Sequence, residues 1–234
     1  MDRPSLLLTR PKPSADAFVQ TLDRTVIDGI EICISPLMEI RPRDTEVDLA
    51  GYTGVVFTSS NAVDLAPEGD RMPAFCVGRR TAEAATDKGW RVERIAQDAD
   101  ALVASLSKDP VNGPLLHLAG KHRRGEIAER LSATGIVTKV ADLYDQVLLP
   151  LSKEAREMLQ GDSPVIVPLF SPRTAGQFAQ QAPKSGNAVI IAMSEAVANA
   201  VRRLDVKELH IVQAPTAEDM RHSVEMLLGG DSLG

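Results

Sequence analysis

Residues 54–65, GVVFTSSNAVDL, and residues 164–179, PVIVPLFSPRTAGQFA, decide the reading of this chain. Each is a short continuous apolar run, then small hydroxyl residues, then a segment rich in helix-forming and apolar side chains. An apolar run without alternation marks a strand buried on both faces, and the helix after it supplies one cover. The pair belongs to a wider duplication. From Ser5 the order is SLLLTR, IEICIS, GVVFTSSNAVDL, AFCVGRRTAEAA and RVERIAQDADALVASL. From Pro114 it is PLLHLAGK, IVTKV, PVIVPLFSPRTAGQFA, AVIIAMSEAVANAV and ELHIVQAPTAEDMRHSVEML. The offset between matching segments grows from about 108 residues to the 118 that separate Ala99 from Ala217. A repeat of that length builds two similar lobes, because solenoid periods run about 20–50 residues. Two lobes imply a cleft, the usual working place of an α/β protein.

Composition narrows the function. At 234 residues the chain suits two domains of about 100–120, and 44% hydrophobic residues suffice for two ordinary cores. No apolar run approaches the 18 or so residues of a membrane span, and MDRPSLLLTRP lacks a signal-peptide pattern, so the expected location is cytoplasmic, with no membrane partner. A net charge of −6 and 3% aromatic residues argue against nucleic acid, which needs a basic face and stacking platforms. Cys33 and Cys76 sit in apolar runs, EICIS and AFCVG, and read as buried unpaired thiols.

No G-x-G-x-x-G, G-x-x-x-x-G-K-[ST], H-E-x-x-H, C-x-x-C or G-x-S-x-G is present, which points away from nucleotides, metals and covalent catalysis. Of His117, His122, His210 and His222, no pair has ligand spacing on one helix, and His117 and His210 read as structural histidines within apolar strands. No metal and no cofactor are expected. What the chain has instead is a ring of strand-to-helix turns built from small residues. They are Thr9-Arg10, Thr58-Ser59-Ser60-Asn61, Gly78-Arg79-Arg80-Thr81, Gly120-Lys121, Ser171-Pro172-Arg173-Thr174 and Ser194. In a parallel α/β sheet such turns gather at the carboxyl edge of the strands, where ligands bind. The helix N-termini there offer unpaired N–H groups and partial positive charge to an anion. Ser60-Asn61, Ser171-Pro172 and Thr216 supply N-cap side chains. Arg10, Arg79, Lys121, Arg123, Arg124 and Arg173 add full charges, so a large polyanionic ligand is expected.

VVFTSSNAV, FCVGRRTAEAA, LLHLAGKHRRGEIAERLSATG followed by VADLYDQV, and FSPRTAGQFA together resemble the uroporphyrinogen-III synthase family, from Thr9-Arg10-Pro11 to Ala214-Pro215. The resemblance implies a cofactor-free cytoplasmic enzyme of tetrapyrrole biosynthesis that cyclises hydroxymethylbilane to uroporphyrinogen III. Water is lost and the last pyrrole ring is inverted. It implies an α/β fold of two similar lobes, each a mainly parallel five-stranded sheet flanked by helices, with the first βα units swapped and a two-stranded connection between lobes. SLLLT, IEICI, PVIVP, AVIIA and LHIVQ then share one sheet, and GVVFT, AFCVG, RVERI, PLLHL and IVTKV the other. Residues 1–35 and 150–234 are expected to form lobe 1, residues 43–141 lobe 2, and residues 36–42 and 142–149 the connections.

By the same resemblance Thr9 and Arg10, Thr58, Ser59 and Asn61, and Gly78 and Thr81 match turns that hold substrate carboxylates, much of the contact coming from backbone N–H. Lys121, Ser171, Arg173 and Ser194 join them from the turn pattern above. Tyr144 matches a tyrosine proposed to assist departure of the substrate hydroxyl, though a half-buried aromatic closing the hinge fits the position equally. Where many members carry Gly and Thr in the last-but-one turn, this chain has Ser194 and Val197. A monomer is expected, and a transient contact with the preceding enzyme of the pathway is admitted. The alternative is a non-catalytic two-lobe binding protein for an anionic tetrapyrrole or other polycarboxylate.

Overall fold

The computed structural model describes residues 3–123, 125–182 and 184–230, so Arg124 lies outside the described residues. The chain begins with β1 (Ser5–Leu8), α1 (Lys12–Thr21), α2 (Arg24–Ile27), β2 (Ile32–Ile34) and β3 (Met38–Pro42). There follow β4 (Gly54–Phe57), α3 (Ser60–Leu65), β5 (Pro73–Val77), α4 (Arg79–Asp87), β6 (Arg91–Ala96), α5 (Ala99–Lys108), β7 (Leu115–Gly120), α6 (Ile127–Ala133) and β8 (Thr138–Leu148). The last stretch is α7 (Lys153–Gln160), β9 (Val165–Leu169), α8 (Pro172–Gln181), β10 (Lys184–Ala192), α9 (Glu195–Val201), β11 (Asp205–Ile211) and α10 (Ala217–Gly229). The residues up to 39 and from 147 onward form one compact unit, and residues 40–146 form the other.

The first unit holds a five-stranded sheet in the order β11-β10-β9-β1-β2, with every neighbouring pair parallel. Its strands read as unbroken apolar runs because both faces are covered. Along β1, Leu6 and Leu8 enter a core with Phe18 of α1 and Met220 and Val224 of α10, while Leu7 enters the opposite core with Phe178 of α8 and Val201 of α9. Cys33 lies buried in the second of these cores.

The second unit holds six strands in the order β3-β8-β7-β4-β5-β6. Val55 and Phe57 of β4 pack with Ala62 and Val63 of α3, Ala82 and Ala85 of α4, and Trp90, whose indole meets the Phe57 ring edge-on at 5.3 Å. Val56 faces the other way, onto Leu102 and Leu106 of α5 and Leu131 of α6. Cys76 is buried, and its burial pushes the thiol up to about 12, so the thiolate that would react is not formed near neutrality.

The strand grouping expected from the family is the one observed, with two differences. The expected strand IVTKV and the extended segment after it are one strand, β8, 11 residues long. Residues of PLMEIRPRD form a sixth strand, β3, beside it. The Arg43 N–H donates to the Leu143 carbonyl at 2.8 Å and the Leu149 N–H to the Leu37 carbonyl at 2.9 Å. One strand's numbers rise as its partner's fall, so the pair is antiparallel. Extended connections must place their backbone donors and acceptors somewhere, and pairing with each other satisfies both. The chain thus leaves the first unit within β3 and returns to it within β8.

Candidate functional site

In the second unit, β7, β4 and β5 are adjacent and parallel, so the turns after them lie side by side at one carboxyl edge. Thr58, Ser59 and Asn61 follow β4, Gly78 and Thr81 follow β5, and Lys121 follows β7. The cap of α3 is Ser59 and not Ser60: its Oγ accepts the Asn61 N–H at 3.2 Å, leaving Ser60 as the first helical residue. Gly78 stands at the N-cap of α4 with φ 83° and ψ 142°, a conformation that a Cβ rarely tolerates, and no side chain caps the helix. The first N–H groups of α4 are therefore left for another acceptor. Thr81, one turn in, is buried, while Arg79 and Arg80 are exposed beside it.

Tyr144 lies opposite Gly120 across a bulge in the β7–β8 pair. It is 3% exposed, not half-buried as the sequence suggests. Burial raises its phenol above the ordinary value, and a hydrogen bond with Ser59 acts the other way. The Lys121 N–H donates to the Tyr144 carbonyl at 2.9 Å, which fixes the exposed Lys121 at the same edge. The sequence places Arg123 among the cations available to a ligand. The structure instead pairs its guanidinium with the Asp142 carboxylate and has it donate to the Gly120 carbonyl at 3.3 Å. It clamps the turn to β8.

One polar residue at this edge, read from the sequence as a structural histidine, is given no functional role there. His117, 1% exposed, holds Nε2 at 3.3 Å from Thr58 Oγ1, while its Nδ1 is buried with no partner among the described residues. The signal is present: a lone polar residue inside the apolar run PLLHLAG. Burial first, then the Arg123 charge, lowers His117 to about 4, with Glu129 and Asp142 opposing. Because the folded value lies below the ordinary 6.5, the neutral imidazole favours folding above about pH 6.5, and that stability is lost as pH falls through about 4. Relative to His117→Gln, the wild type should lose about 3 kcal/mol between pH 7 and pH 4. Paired denaturant titrations at the two pH values measure it, and parallel profiles would contradict it. His210, by contrast, is a strand residue whose Nε2 pairs with Glu208 at 2.8 Å.

In the first unit, β10, β9 and β1 are adjacent and parallel, and the turns after them share that sheet's carboxyl edge. Thr9 is buried, and its carbonyl accepts the Leu37 N–H at 3.0 Å. The Arg10 guanidinium stacks 3.9 Å above the Phe170 ring, which joins the turns after β1 and β9. Ser171 Oγ caps α8 by accepting the Thr174 N–H at 3.2 Å and shares a second hydrogen bond with Thr174 Oγ1 at 2.6 Å. Its hydroxyl is thus occupied, and Arg173 beside it is half-buried. Ser194 precedes α9 without capping it, and Val197 points into the core.

A hollow of about 630 Å³ in the second unit lies at the other end of its sheet, lined by Thr53, Pro73, Arg91, Arg94, Asp109 and Leu115 among others. Its charges are already matched, Arg91 with Glu93 and Arg94 with Asp109, so volume alone does not make it the better candidate. Among the described residues no group of three or more His, Cys, Asp or Glu is placed to hold a metal ion.

Two α/β units, each with small-residue turns and helix N-termini at the carboxyl edge of a largely parallel sheet, define a two-unit α/β protein. The family model described as Uroporphyrinogen-III synthase HemD matches residues 20–221, and the chain belongs to the uroporphyrinogen-III synthase family. The uroporphyrinogen-III synthetase of Helicobacter pylori 26695 has the same fold, at TM-score 0.68 and 18% identity over 96% of this chain and 99% of that one. A mutant uroporphyrinogen III synthase of the extremely thermophilic bacterium Thermus thermophilus aligns at TM-score 0.58 and 12% identity, covering 97% of this chain and 100% of that one. No curated protein sequence matches significantly.

Proposed function

We propose that this protein cyclises hydroxymethylbilane to uroporphyrinogen III, with loss of water and inversion of the last pyrrole ring, in a cleft between the two units, without a cofactor and in the cytoplasm. The family match over residues 20–221 carries the reading. The chemistry of the two sheet edges supports it. Open helix N-termini and small residues suit a polycarboxylate, and the uncapped first turn of α4 behind Gly78 is the plainest such place. The linear substrate closes unaided to the isomer without inversion. The enzyme therefore has little covalent work and much positioning work, a contribution that reaches several kcal/mol. In this reading Tyr144, hydrogen-bonded to Ser59, assists departure of the hydroxyl. Its raised phenol makes it a weak acid, so its share of the rate is small on the scale of general acids.

Tyr144→Phe is expected to fold normally and to lower the rate of type III formation roughly tenfold, below the usual range for a general acid. Chromatography of the oxidised products would show the type I share rising; an unchanged share at every pH would leave Tyr144 a packing residue. Burial of that phenol favours one alternative, a non-catalytic protein that holds an anionic tetrapyrrole or other polycarboxylate. Incubation of the wild type with enzymatically generated hydroxymethylbilane separates the two. An excess of type III supports the enzyme, and type I alone supports the binder.

The net charge of −6 means that positive potential must be concentrated at the site if an anion is to be drawn in. Raising ionic strength from about 0.01 to 1 M shrinks the screening length from roughly 30 to 3 Å. KM should climb over that range while kcat changes less. A flat KM would assign recognition to neutral donors alone.

A further inference from the structure

The observation that the proposed reaction leaves unused is the contact between His117 and Thr58. His117 is paired with Val56 across the β4–β7 ladder, and Thr58 is the first residue after β4, its Oγ1 within reach of the imidazole. The imidazole is 1% exposed, so it must be neutral or well partnered to be tolerated there. Its Nε2 lies 3.3 Å from Thr58 Oγ1, and its Nδ1 has no partner among the described residues. A neutral imidazole has one N–H and one lone pair, and the two tautomers differ in consequence.

With the proton on Nδ1, a buried N–H would be left without an acceptor, and Thr58 would have to spend its hydroxyl proton on Nε2. With the proton on Nε2, the group left without a partner is a lone pair. Orphaned buried N–H groups are the rarer and costlier defect. We propose that His117 is a positioning residue: its Nε2–H donates to Thr58 Oγ1, which leaves the Thr58 hydroxyl proton to be donated to a carboxylate of the ligand. The half-buried Thr58 stands at the carboxyl edge next to Ser59 and is thereby turned from a hydroxyl of either polarity into a directed donor. Arg123, Glu129 and Asp142, the last paired with Arg123, are the charged groups felt by the imidazole, and burial together with Arg123 keeps it neutral.

The choice of carboxylate as acceptor rests on the function proposed above; the tautomer does not. Long-range ¹H–¹⁵N correlation on the ¹⁵N-labelled wild type near pH 7, with His117→Gln supplying the assignment, reads which ring nitrogen carries the proton. A proton on Nε2 is expected, and a proton on Nδ1 overturns the proposal whatever the protein catalyses. The second measurement is kinetic, with hydroxymethylbilane. Glutamine places an amide N–H near the position of Nε2, so His117→Gln should keep KM within about threefold, whereas His117→Leu and Thr58→Val should each raise it about tenfold, the size of one hydrogen bond to a charged group. If Thr58→Val leaves KM unaltered, or if folded His117→Gln is as impaired as His117→Leu, the directed donor is refuted. Should His117→Leu fail to fold, the tautomer and the Gln and Val variants still decide.

Discussion

Alanine at position 120 is expected to displace Tyr144 and to cost the protein about 3 kcal/mol, the upper end of what overpacking exacts. A Cβ there would stand 2.5 Å from Tyr144 Cε2, 2.6 Å from Cζ and 3.0 Å from the hydroxyl oxygen. The obstacle is a ring and not the loose end of a flexible chain. Tyr144 belongs to the core that contains Phe57 and Trp90, and its hydroxyl is tied to Ser59. The ring can yield only by breaking that bond or by opening the β7–β8 pair. In a chain of this length the penalty corresponds to a fall in Tm of roughly 10 °C. Tyr144→Ala alone would also destabilise, through the cavity it leaves, but the double variant should be less than additive because the new methyl then has room. Thermal unfolding of the three variants checks this. A Gly120→Ala protein within about 2 °C of wild type would mean that Gly120 and Tyr144 are not in contact.

The second large effect concerns where the chain can be cut. β4 sits between β7 and β5, so residues 1–112 hold β3, β4, β5 and β6 without β7 and β8, which join β3 to β4. The same fragment carries β1 and β2 without β9, β10 and β11. Both partial sheets would expose apolar edges and faces, among them Leu6, Leu8, Val56 and Phe75. We expect fragments 1–112 and 113–234 to be insoluble or molten. A fragment of residues 38–148 contains all six strands of one sheet and should fold alone. Cooperative unfolding of 1–112 with a native-like near-UV spectrum would contradict this, as would an unfolded 38–148.

Much of this is legible in the sequence because the strands are covered on both faces. Runs such as SLLL and VIVPL carry their burial in composition, whatever their neighbours are. The turns are legible for a similar reason, since Gly78 and Ser171 act on the residues next to them. What cannot be read depends on register. MEIRP and the later half of β8 are mixed in polarity, and they are strands only because each pairs with the other about 100 residues away. The His117–Thr58 and Arg123–Asp142 contacts join residues of different strands or turns, which no local pattern announces. Ser59 rather than Ser60 as the cap is a one-residue shift that composition cannot resolve. Tyr144 reads as half-buried because its neighbours Asp142 and Asp145 are polar; the glycine that admits its ring is on another strand.

Amide hydrogen exchange with and without uroporphyrinogen III, kept reduced under anaerobic conditions, tests the account most directly, because its central claim is that backbone N–H groups at both carboxyl edges hold the polycarboxylate. Slower exchange is predicted at residues 9–10, 58–61, 78–81 and 171–174 on binding, with no change around Thr53, Arg91 and Arg94 at the opposite end of the second sheet. Protection confined to that opposite end, or to the edge of one unit alone, would contradict it.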